Sequence, residues 1–400
     1  MLALFAAASM TLLAFGGYAA GTLTQLGFPV SPILLGAAGT AVSAAVVVVT
    51  RPWTLRGILM PIALWLTMIA GFIYSAGGTT YSDGKVSQLL TMTPLVVGAG
   101  AILLALPEVR SKLLFCVTVW GGFIALLQYV TPSTESILTL SAEGSNYQNY
   151  GRAVGAAAVA LIVLGFRRRT SSIPFLIVGV GFLTLTALSG SRGPFIGAVI
   201  AIIIGLAVTR ASAITALAGA AVTLLVFQFF DPAKYLPDRF RSFEDNSTQA
   251  RVWMLEIAWE RFRDWPFGIG WGGLEMWLNP IGTNLLYPHN VYAEVAVEAG
   301  ILGLVGFAGY TIYALVGQYK TSTTGVEAAI LALSVFMVSN AAVSGDINSN
   351  RGLHLFLAAG IAAWTIHRVR TRDDGPGPTS RGRDPRIVDT GVYVRRPDRG

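Results

Sequence analysis

The sequence predicts an all-α polytopic integral membrane protein with about twelve transmembrane helices and one large extracytoplasmic loop. Hydrophobic residues make up 54% of the 400 residues, charged residues make up only 12%, and the mean hydropathy is +0.62. A water-soluble chain of this length needs more polar surface than this composition supplies. The apolar residues are also gathered into runs of membrane-spanning length, separated by short polar segments. These observations exclude an ordinary soluble domain.

Twelve apolar segments predict the membrane spans, with boundaries accurate to several residues. They lie at about 2–20, 29–50, 57–75, 87–106, 113–131, 152–166, 172–188, 194–209, 211–229, 291–317, 326–343 and 352–367. The first segment has no basic start and runs directly into the second, so we expect a retained span rather than a cleaved signal peptide. The single cysteine, Cys116, lies within an apolar segment and is expected to be core packing.

Basic residues occur on alternate loops, which predicts the orientation of the chain in the plasma (inner) membrane. The basic loops contain Arg51 and Arg56, Arg110 and Lys112, residues 167–169, Arg210, Lys320 and the tail after His367. We expect these loops to be cytoplasmic. The remaining loops, at about 21–28, 77–85, 132–150, 189–192, 231–290 and 344–351, then face outside.

The predicted organisation has four parts. Residues 1–230 hold transmembrane helices 1–9, residues 231–290 form the large outward loop with an interfacial helix, and residues 291–367 hold helices 10–12. Residues 368–400 are rich in Arg, Asp, Gly and Pro, which predicts a disordered basic tail in the cytoplasm. Such a tail is suited to anchoring at an anionic lipid surface.

Two outward arginines are candidates for binding an anion. Arg192 follows Ser191 in a tight turn between two spans, where headgroup contact is the alternative role. Arg251 lies on a helix predicted over about 248–264, and it projects from an apolar arc formed by Val252, Leu255, Ala258, Trp259 and Phe262. Arg251 is therefore expected to point toward the protein body. Guanidinium groups bind phosphate oxygens in a bidentate fork.

The outward loop ends at His289, the only outward histidine on this map. An imidazole can act as a general base near neutral pH, and a structural capping role is the alternative. Glu294 and Glu298 lie four residues apart on one face of the next span and need a cationic partner at that depth. Either carboxylate could orient an arginine or compete with His289 as the base.

A glycine-rich run at 265–273 predicts a tight turn with close packing. It is not a dinucleotide-binding loop, because no strand precedes it. Trp271 and the neighbouring aromatic residues suit an interfacial aromatic belt and a stacking surface for sugar rings equally well.

Residues 189–303 resemble the O-antigen ligase and O-antigen polymerase family of multi-spanning glycan transferases. The resemblance rests on three short patterns in the expected order: Ser191–Arg192 at the end of a span, Arg251 with Leu255 in the loop helix, and His289–Asn290 followed by Gly300 and Gly303. It implies a C-type glycosyltransferase fold. It also implies a donor glycan linked to a polyprenyl diphosphate such as undecaprenyl diphosphate.

The resemblance further implies a metal-independent, inverting glycosyltransferase of surface polysaccharide or cell-envelope biosynthesis. Arg192 and Arg251 would stabilise the leaving diphosphate, and His289 would deprotonate the acceptor hydroxyl. The expected substrate-binding residues are Ser191, Asn290, Trp271, Glu294 and Glu298. No cofactor or metal is expected, since the sequence contains no Asp-x-Asp and no His/Cys cluster.

The expected partners are the lipid-linked donor, a glycan, lipid or protein acceptor, and membrane lipids, without nucleic acid. The patterns do not separate a ligase from a polymerase. A glycan-lipid flippase or secondary transporter is the alternative from another class. Transporters commonly show internal repeats with paired broken spans, and the sequence shows neither.

Overall fold

The computed structural model describes residues 1–74, 78–131, 147–167, 172–208, 246–279 and 285–373. Within these ranges all regular structure is helical. The α-helices are α1 (Leu2–Phe15), α2 (Ala20–Gln25), α3 (Pro32–Thr50), α4 (Leu59–Thr67), α5 (Ala70–Ile73), α6 (Thr80–Pro94), α7 (Gly100–Leu103), α8 (Pro107–Val130), α9 (Tyr147–Arg167), α10 (Ile173–Leu188), α11 (Arg192–Ala207), α12 (Asn246–Asp264), α13 (Glu275–Leu278), α14 (Val291–Thr321), α15 (Gly325–Ala341) and α16 (Arg351–Asp373). Two 3₁₀ segments, Gly16–Tyr18 and Pro52–Ile58, and one π segment, Leu95–Ala99, complete the set.

Five helical stretches of the described chain are long and apolar enough to cross a membrane. They are Pro32–Thr50, Thr80–Leu103, Pro107–Val130, Tyr147–Phe166 and Val291–Thr321. Shorter apolar helices lie at Leu2–Tyr18, Ile173–Leu188, Arg192–Ala207 and Gly325–Ala341. The all-helical membrane class is therefore confirmed for the described residues, while the count of twelve spans stays a prediction. The span predicted at 211–229, the first part of the outward loop and the tail after residue 373 lie outside the described ranges.

Helix α9 forms the centre of the bundle. It is buried along most of its length and packs against α8, α10, α11 and α15. Its sequence explains this position, because the run Gly155-Ala156-Ala157-Ala158 lets neighbouring backbones approach closely. A Cβ added to Gly121 of α8 would lie 2.5 Å from the Ala157 Cβ, so this crossing requires the small residue.

Helix α6 begins seven residues before the span predicted from 87, so residues 80–85 of the predicted outward loop are helical. The Thr79 hydroxyl accepts the Ser82 N–H at 3.0 Å, and the Ser82 hydroxyl accepts the Thr79 N–H at 3.3 Å, which forms a capping box. The polar residues in this first turn predicted a loop. They are compatible with a helix because partners elsewhere in the fold satisfy them.

Residues 246–264 form helix α12 as predicted, but only part of the predicted apolar arc, Ala258 and Phe262, packs on the protein. The buried residues of α12 are Met254 and Ala258, which pack on α13 and α14. Val252 and Trp259 are 51% and 61% exposed. Hydrophobicity alone cannot choose between two apolar stripes in a membrane protein, because lipid solvates an apolar side chain as well as the core does.

Helix α14 carries a kink at Gly300, whose φ of 71° and ψ of −170° are not helical. The turn formed by residues 265–270 docks on this kink through three main-chain hydrogen bonds: Ile269 N–H to Val297 O (2.9 Å), Gly270 N–H to Glu298 O (3.0 Å) and Ile301 N–H to Pro266 O (2.8 Å). The predicted tight turn with close packing is therefore confirmed. It fixes the start of α14 against the loop.

Candidate functional site

His289 lies immediately before the residue that caps α14. Its φ is +54°, the only positive φ among the non-glycine residues that the structure describes. The His289 ring centroid lies 4.6 Å from that of Tyr287, and its Nδ1 is buried without a hydrogen-bond partner in the described part of the chain. A left-handed conformation costs a non-glycine residue about 1–3 kcal/mol, and such strain is concentrated at functional sites.

The surroundings of His289 keep its imidazole neutral. The pKa of His289 is lowered to about 4, chiefly by burial and also by the nearby charges of Arg251 and Arg152, while Asp346 acts in the opposite direction. Burial also raises the pKa of Tyr287 to about 12, so its hydroxyl stays protonated at neutral pH. Of these two neighbouring rings, only the imidazole is able to accept a proton at pH 7.

Arg251 is half-buried in α12, three residues before Met254 and seven before Ala258. It therefore shares their side of the helix, which packs against the protein. Its charge acts on His289, as described above. The expectation that Arg251 points toward the protein body agrees with this position.

Ser191 and Arg192 lie where α11 begins. Ser191 is buried, and its hydroxyl donates a hydrogen bond of 2.8 Å to the carbonyl of Tyr147 in the first turn of α9. A Cβ on Gly151 would lie 2.8 Å from the Ser191 Cβ, so the two helix starts are in close contact. Arg192 is half-buried at the first position of α11. Ser191 thus fixes the place from which the Arg192 side chain extends.

Glu294 and Glu298 share a cation, Lys85, which the sequence analysis did not identify. The Lys85 Nζ lies 2.5 Å from a carboxylate oxygen of each glutamate, and all three side chains are fully buried. The cationic partner that these carboxylates require is therefore a lysine on α6. The expectation that either glutamate orients an arginine finds no support in these contacts.

Trp271 lies beside this cluster, with its ring centroid 5.7 Å from the Lys85 Nζ. It is fully buried, and its Nε1 donates a hydrogen bond of 3.2 Å to the Met68 carbonyl. A Cβ on Gly71 would meet that same Nε1 at 2.5 Å. The ring is thus surrounded by protein atoms, and this placement offers it neither to the membrane interface nor to a sugar.

Asn290 is the N-cap of α14. Its Oδ1 accepts the N–H groups of Tyr292 and Ala293 at 3.0 and 3.1 Å, which satisfies two donors that the helix leaves free. This capping gives Asn290 a structural task beside His289. The side chain of Asn290, which was predicted to bind substrate, therefore already serves to cap the helix.

The loop between α15 and α16 joins the two sides of the site. The Ile347 N–H donates to Glu294 at 2.9 Å, and the Asn348 side chain donates to the Lys85 carbonyl at 3.1 Å. Gly345 of the same loop lies against Arg152 of α9, since a Cβ there would be 3.2 Å from the Arg152 Nη2. One polar loop therefore links the carboxylate cluster to the start of α9.

The structure brings His289, Arg251, Glu294 and Glu298 together where α14 begins, with Ser191 and Arg192 beside the neighbouring start of α9. Sequence reasoning missed Lys85 and Arg152. The two intramembrane carboxylates signalled the need for a cation but not which one. Arg152 gave a weaker signal as a charge at the edge of a predicted span.

Taken together, the apolar helices and the buried charged cluster at their ends define a multi-pass helical membrane protein. Residues 177–308 match the family model described as O-antigen ligase, and this region is about a third of the chain. This match confirms the resemblance to the O-antigen ligase and polymerase family, which implies a glycosyltransferase-like membrane enzyme with a lipid-linked glycan donor. A search of curated proteins found no match.

The matched region contains all the predicted site residues from Ser191 to Glu298. Lys85 and Arg152 lie outside it. The part of the fold that surrounds the domain therefore supplies two of the buried charges.

Proposed function

We propose that the protein transfers a polyprenyl diphosphate-linked oligo- or polysaccharide to an acceptor hydroxyl on the outer face of the plasma membrane. The acceptor oxygen forms a bond to the anomeric carbon while the bond from that carbon to the phosphate oxygen breaks. The acceptor proton passes to His289, and the electron pair leaves with the polyprenyl diphosphate. Attack opposite the leaving group inverts the anomeric configuration.

The observation that carries this proposal is the state of His289. It is a strained, neutral imidazole with an unpartnered, buried Nδ1 in the described structure, and two arginines act on it. A histidine that acts as a general base must be unprotonated, and a diphosphate needs cations nearby. Both requirements meet at the entrance to α14.

In this proposal Arg192 and Arg251 bind the diphosphate and stabilise the charge that develops on it. Ser191 holds the start of α11, and Asn290 caps α14 beside the base. Glu294 and Glu298 act through their ion pairs with Lys85, which fix the position of α14 relative to α6. The reaction needs no metal, because the two guanidinium groups supply the charge stabilisation.

The test is the replacement of each diphosphate-binding arginine by lysine. Arg192→Lys and Arg251→Lys should each reduce transfer by about 10²-fold or more, since an ammonium group does not reproduce the bidentate fork. Transfer of a radiolabelled glycan from lipid-linked donor would be measured with and without a chelator, and chelation should leave the rate unchanged.

Arg263→Lys is the matched control, because Arg263 is exposed on the same helix as Arg251, and it should retain wild-type turnover. Near-normal rates for both site variants at wild-type protein levels would contradict the arginine assignment. A requirement for added divalent metal would contradict metal independence. In cells, deletion of the gene should shorten the surface glycan if the protein is a polymerase and leave unattached lipid-linked glycan if it is a ligase.

A further inference from the structure

Arg152 is a buried cation that contacts no counter-charge among the residues that the structure describes. It is 3% exposed, and its Nε and Nη2 are buried without a hydrogen-bond partner among the residues that the structure describes. The other buried cations are paired. Lys85 lies between Glu294 and Glu298, and the Arg110 Nη1 lies 3.3 Å from a Glu327 carboxylate oxygen.

The position of Arg152 places it within the site. Its Nη2 lies beside Gly345, in the loop whose Ile347 N–H binds Glu294. The residue before it, Gly151, is packed against Ser191, which precedes Arg192. Arg152 therefore lies between the start of α11 and the polar loop that is bonded to the start of α14.

A guanidinium that has left water without gaining a partner raises the free energy of the folded protein, and it is retained where a ligand supplies the missing anion. The nearest loop carboxylate, Asp346, does not form an ion pair with it in the described structure and instead accepts the Ser349 N–H at 2.8 Å. The Nε and Nη2 of Arg152 therefore stay available to an anion, since no residue in the described part of the chain accepts a hydrogen bond from them.

We propose that Arg152 is a third guanidinium ligand of the donor's diphosphate, a role that rests on the proposed function. The chemistry of the leaving group supports this number. The intact donor carries about two negative charges on its two phosphodiester groups, and the released polyprenyl diphosphate carries about three, since its terminal phosphate becomes a monoester. Arg152, Arg192 and Arg251 together match the charge of the released group.

The test measures binding of inorganic pyrophosphate and of farnesyl diphosphate to the full-length protein in phosphatidylcholine nanodiscs. Arg152→Gln should weaken both affinities by about ten- to a hundred-fold, the loss expected for charge-assisted hydrogen bonds. Without ligand, the same variant should unfold at the wild-type temperature or higher, because the substitution removes an unpaired buried charge. Its ligand-induced rise in unfolding temperature should be lost.

Arg110→Gln is the matched control, since Arg110 is a buried arginine with a carboxylate partner. It should unfold at a lower temperature than the wild type and keep the full rise on adding pyrophosphate. Wild-type affinity of Arg152→Gln for both probes would overturn the proposal. So would displacement of farnesyl diphosphate by an equal concentration of phosphatidylglycerol, which would assign Arg152 to a phospholipid headgroup.

The two proposals fail in different ways. His289→Ala should keep pyrophosphate affinity and lose transfer. If the wild type binds pyrophosphate through Arg152 but transfers no glycan, the diphosphate site stands and the glycosyltransferase proposal fails. If the wild type transfers glycan while Arg152→Gln binds pyrophosphate normally, the glycosyltransferase proposal stands and the proposed role of Arg152 fails.

Discussion

His289 combines a strained backbone with a lowered pKa. Its backbone is left-handed, and its imidazole is held neutral by burial and by two positive neighbours. Asn290 and the buried Pro288 on either side fix that backbone. The strain and the lowered pKa are therefore both imposed by the fold.

Replacement of His289 should separate chemistry from folding. His289→Ala and His289→Asn should each reduce transfer by about 10²–10⁴-fold, and the asparagine variant should fold normally because asparagine tolerates a positive φ. Protein levels and donor binding would be measured beside the rate. Tyr287→Phe, which keeps the neighbouring ring, is the control and should stay active. A loss of only a few-fold in both His289 variants would reduce this residue to an orienting role.

The pH dependence of the same variants gives an independent check. Because the pKa of His289 is lowered to about 4, the imidazole is neutral above that pH, and kcat/KM should fall only as the pH drops through about 4. This acidic limb should be absent in the residual activity of His289→Asn. A limb centred near the ordinary histidine value of about 6.5, or one that persists in the variant, would assign it to another group.

Lys85 supplies one positive charge to two buried carboxylates and forms an ion pair with each of them. Lys85→Met should lower the free energy of unfolding by about 3–5 kcal/mol, because both carboxylates then lose their partner. Adding Glu294→Gln and Glu298→Gln to the Lys85→Met variant should restore most of the lost stability. Thermal unfolding in detergent measures the difference.

The exposed ion pair of Arg51 with Glu108, at 2.7 Å, is the control for this charge cluster. Arg51→Met should cost about 0–1 kcal/mol, since solvent screens that pair. Equal effects of the two substitutions would show that the buried cluster contributes no more than a surface pair. The Lys85 Nζ also lies 5.5 Å from the ring centroid of Tyr81 and 5.7 Å from that of Trp271. Failure of the triple variant to recover would mean that Lys85 acts through packing on these two rings.

At the scale of elements, the kink in α14 connects the loop to the membrane bundle. The break at Gly300 frees the carbonyls of Val297 and Glu298, and these accept the N–H groups of the docked turn. The same stretch of α14 carries the two glutamates. Backbone geometry in the turn is therefore coupled directly to the position of the charged cluster.

Gly300→Ala should disrupt this junction. A Cβ there would lie 2.3 Å from the Phe267 carbonyl carbon, and the backbone has φ near 71° with ψ near −170°, a region open almost only to glycine. We expect Gly300→Ala to lower the free energy of unfolding by more than about 3 kcal/mol and to abolish most of the transfer activity. Unfolding temperature and transfer would be measured together.

Gly309→Ala on the same helix is the control for this substitution. A Cβ at Gly309 would meet no atom within 4 Å. Alanine there should be neutral or stabilise by up to about 1 kcal/mol. If both variants behave alike, the docking of the turn contributes little.

For the whole molecule, the central prediction concerns orientation. The alternation of basic loops predicts that α12 lies outside and that the end of α16 lies in the cytoplasm. A reporter enzyme active only after export should be active when fused at Asn246 and inactive when fused after Arg372 or at Lys112. Enzyme activity and protein level would be measured for each fusion. The opposite pattern would invert the map and place His289 where a donor flipped to the outer face cannot reach it.

The sequence by itself determined the membrane class, most helix positions and the main candidates for the site. Runs of apolar residues predict helices because lipid forbids unpaired backbone groups, and this holds whatever the helices pack against. The chemistry of arginine and histidine indicated Arg192, Arg251 and His289 as candidate site residues without any knowledge of their contacts. The family match over residues 177–308 agrees with the predicted family resemblance.

Only the tertiary structure decided which charges meet. Lys85 is more than 200 positions from Glu294 and Glu298, and local periodicity carries no information about such a pairing. The packing face of α12 and the burial of Trp271 were likewise undetermined, because an apolar side chain is stable against either lipid or protein. Arg152 emerged for the same reason. Its lack of a partner among the described residues can be recognised only after the helices are packed together.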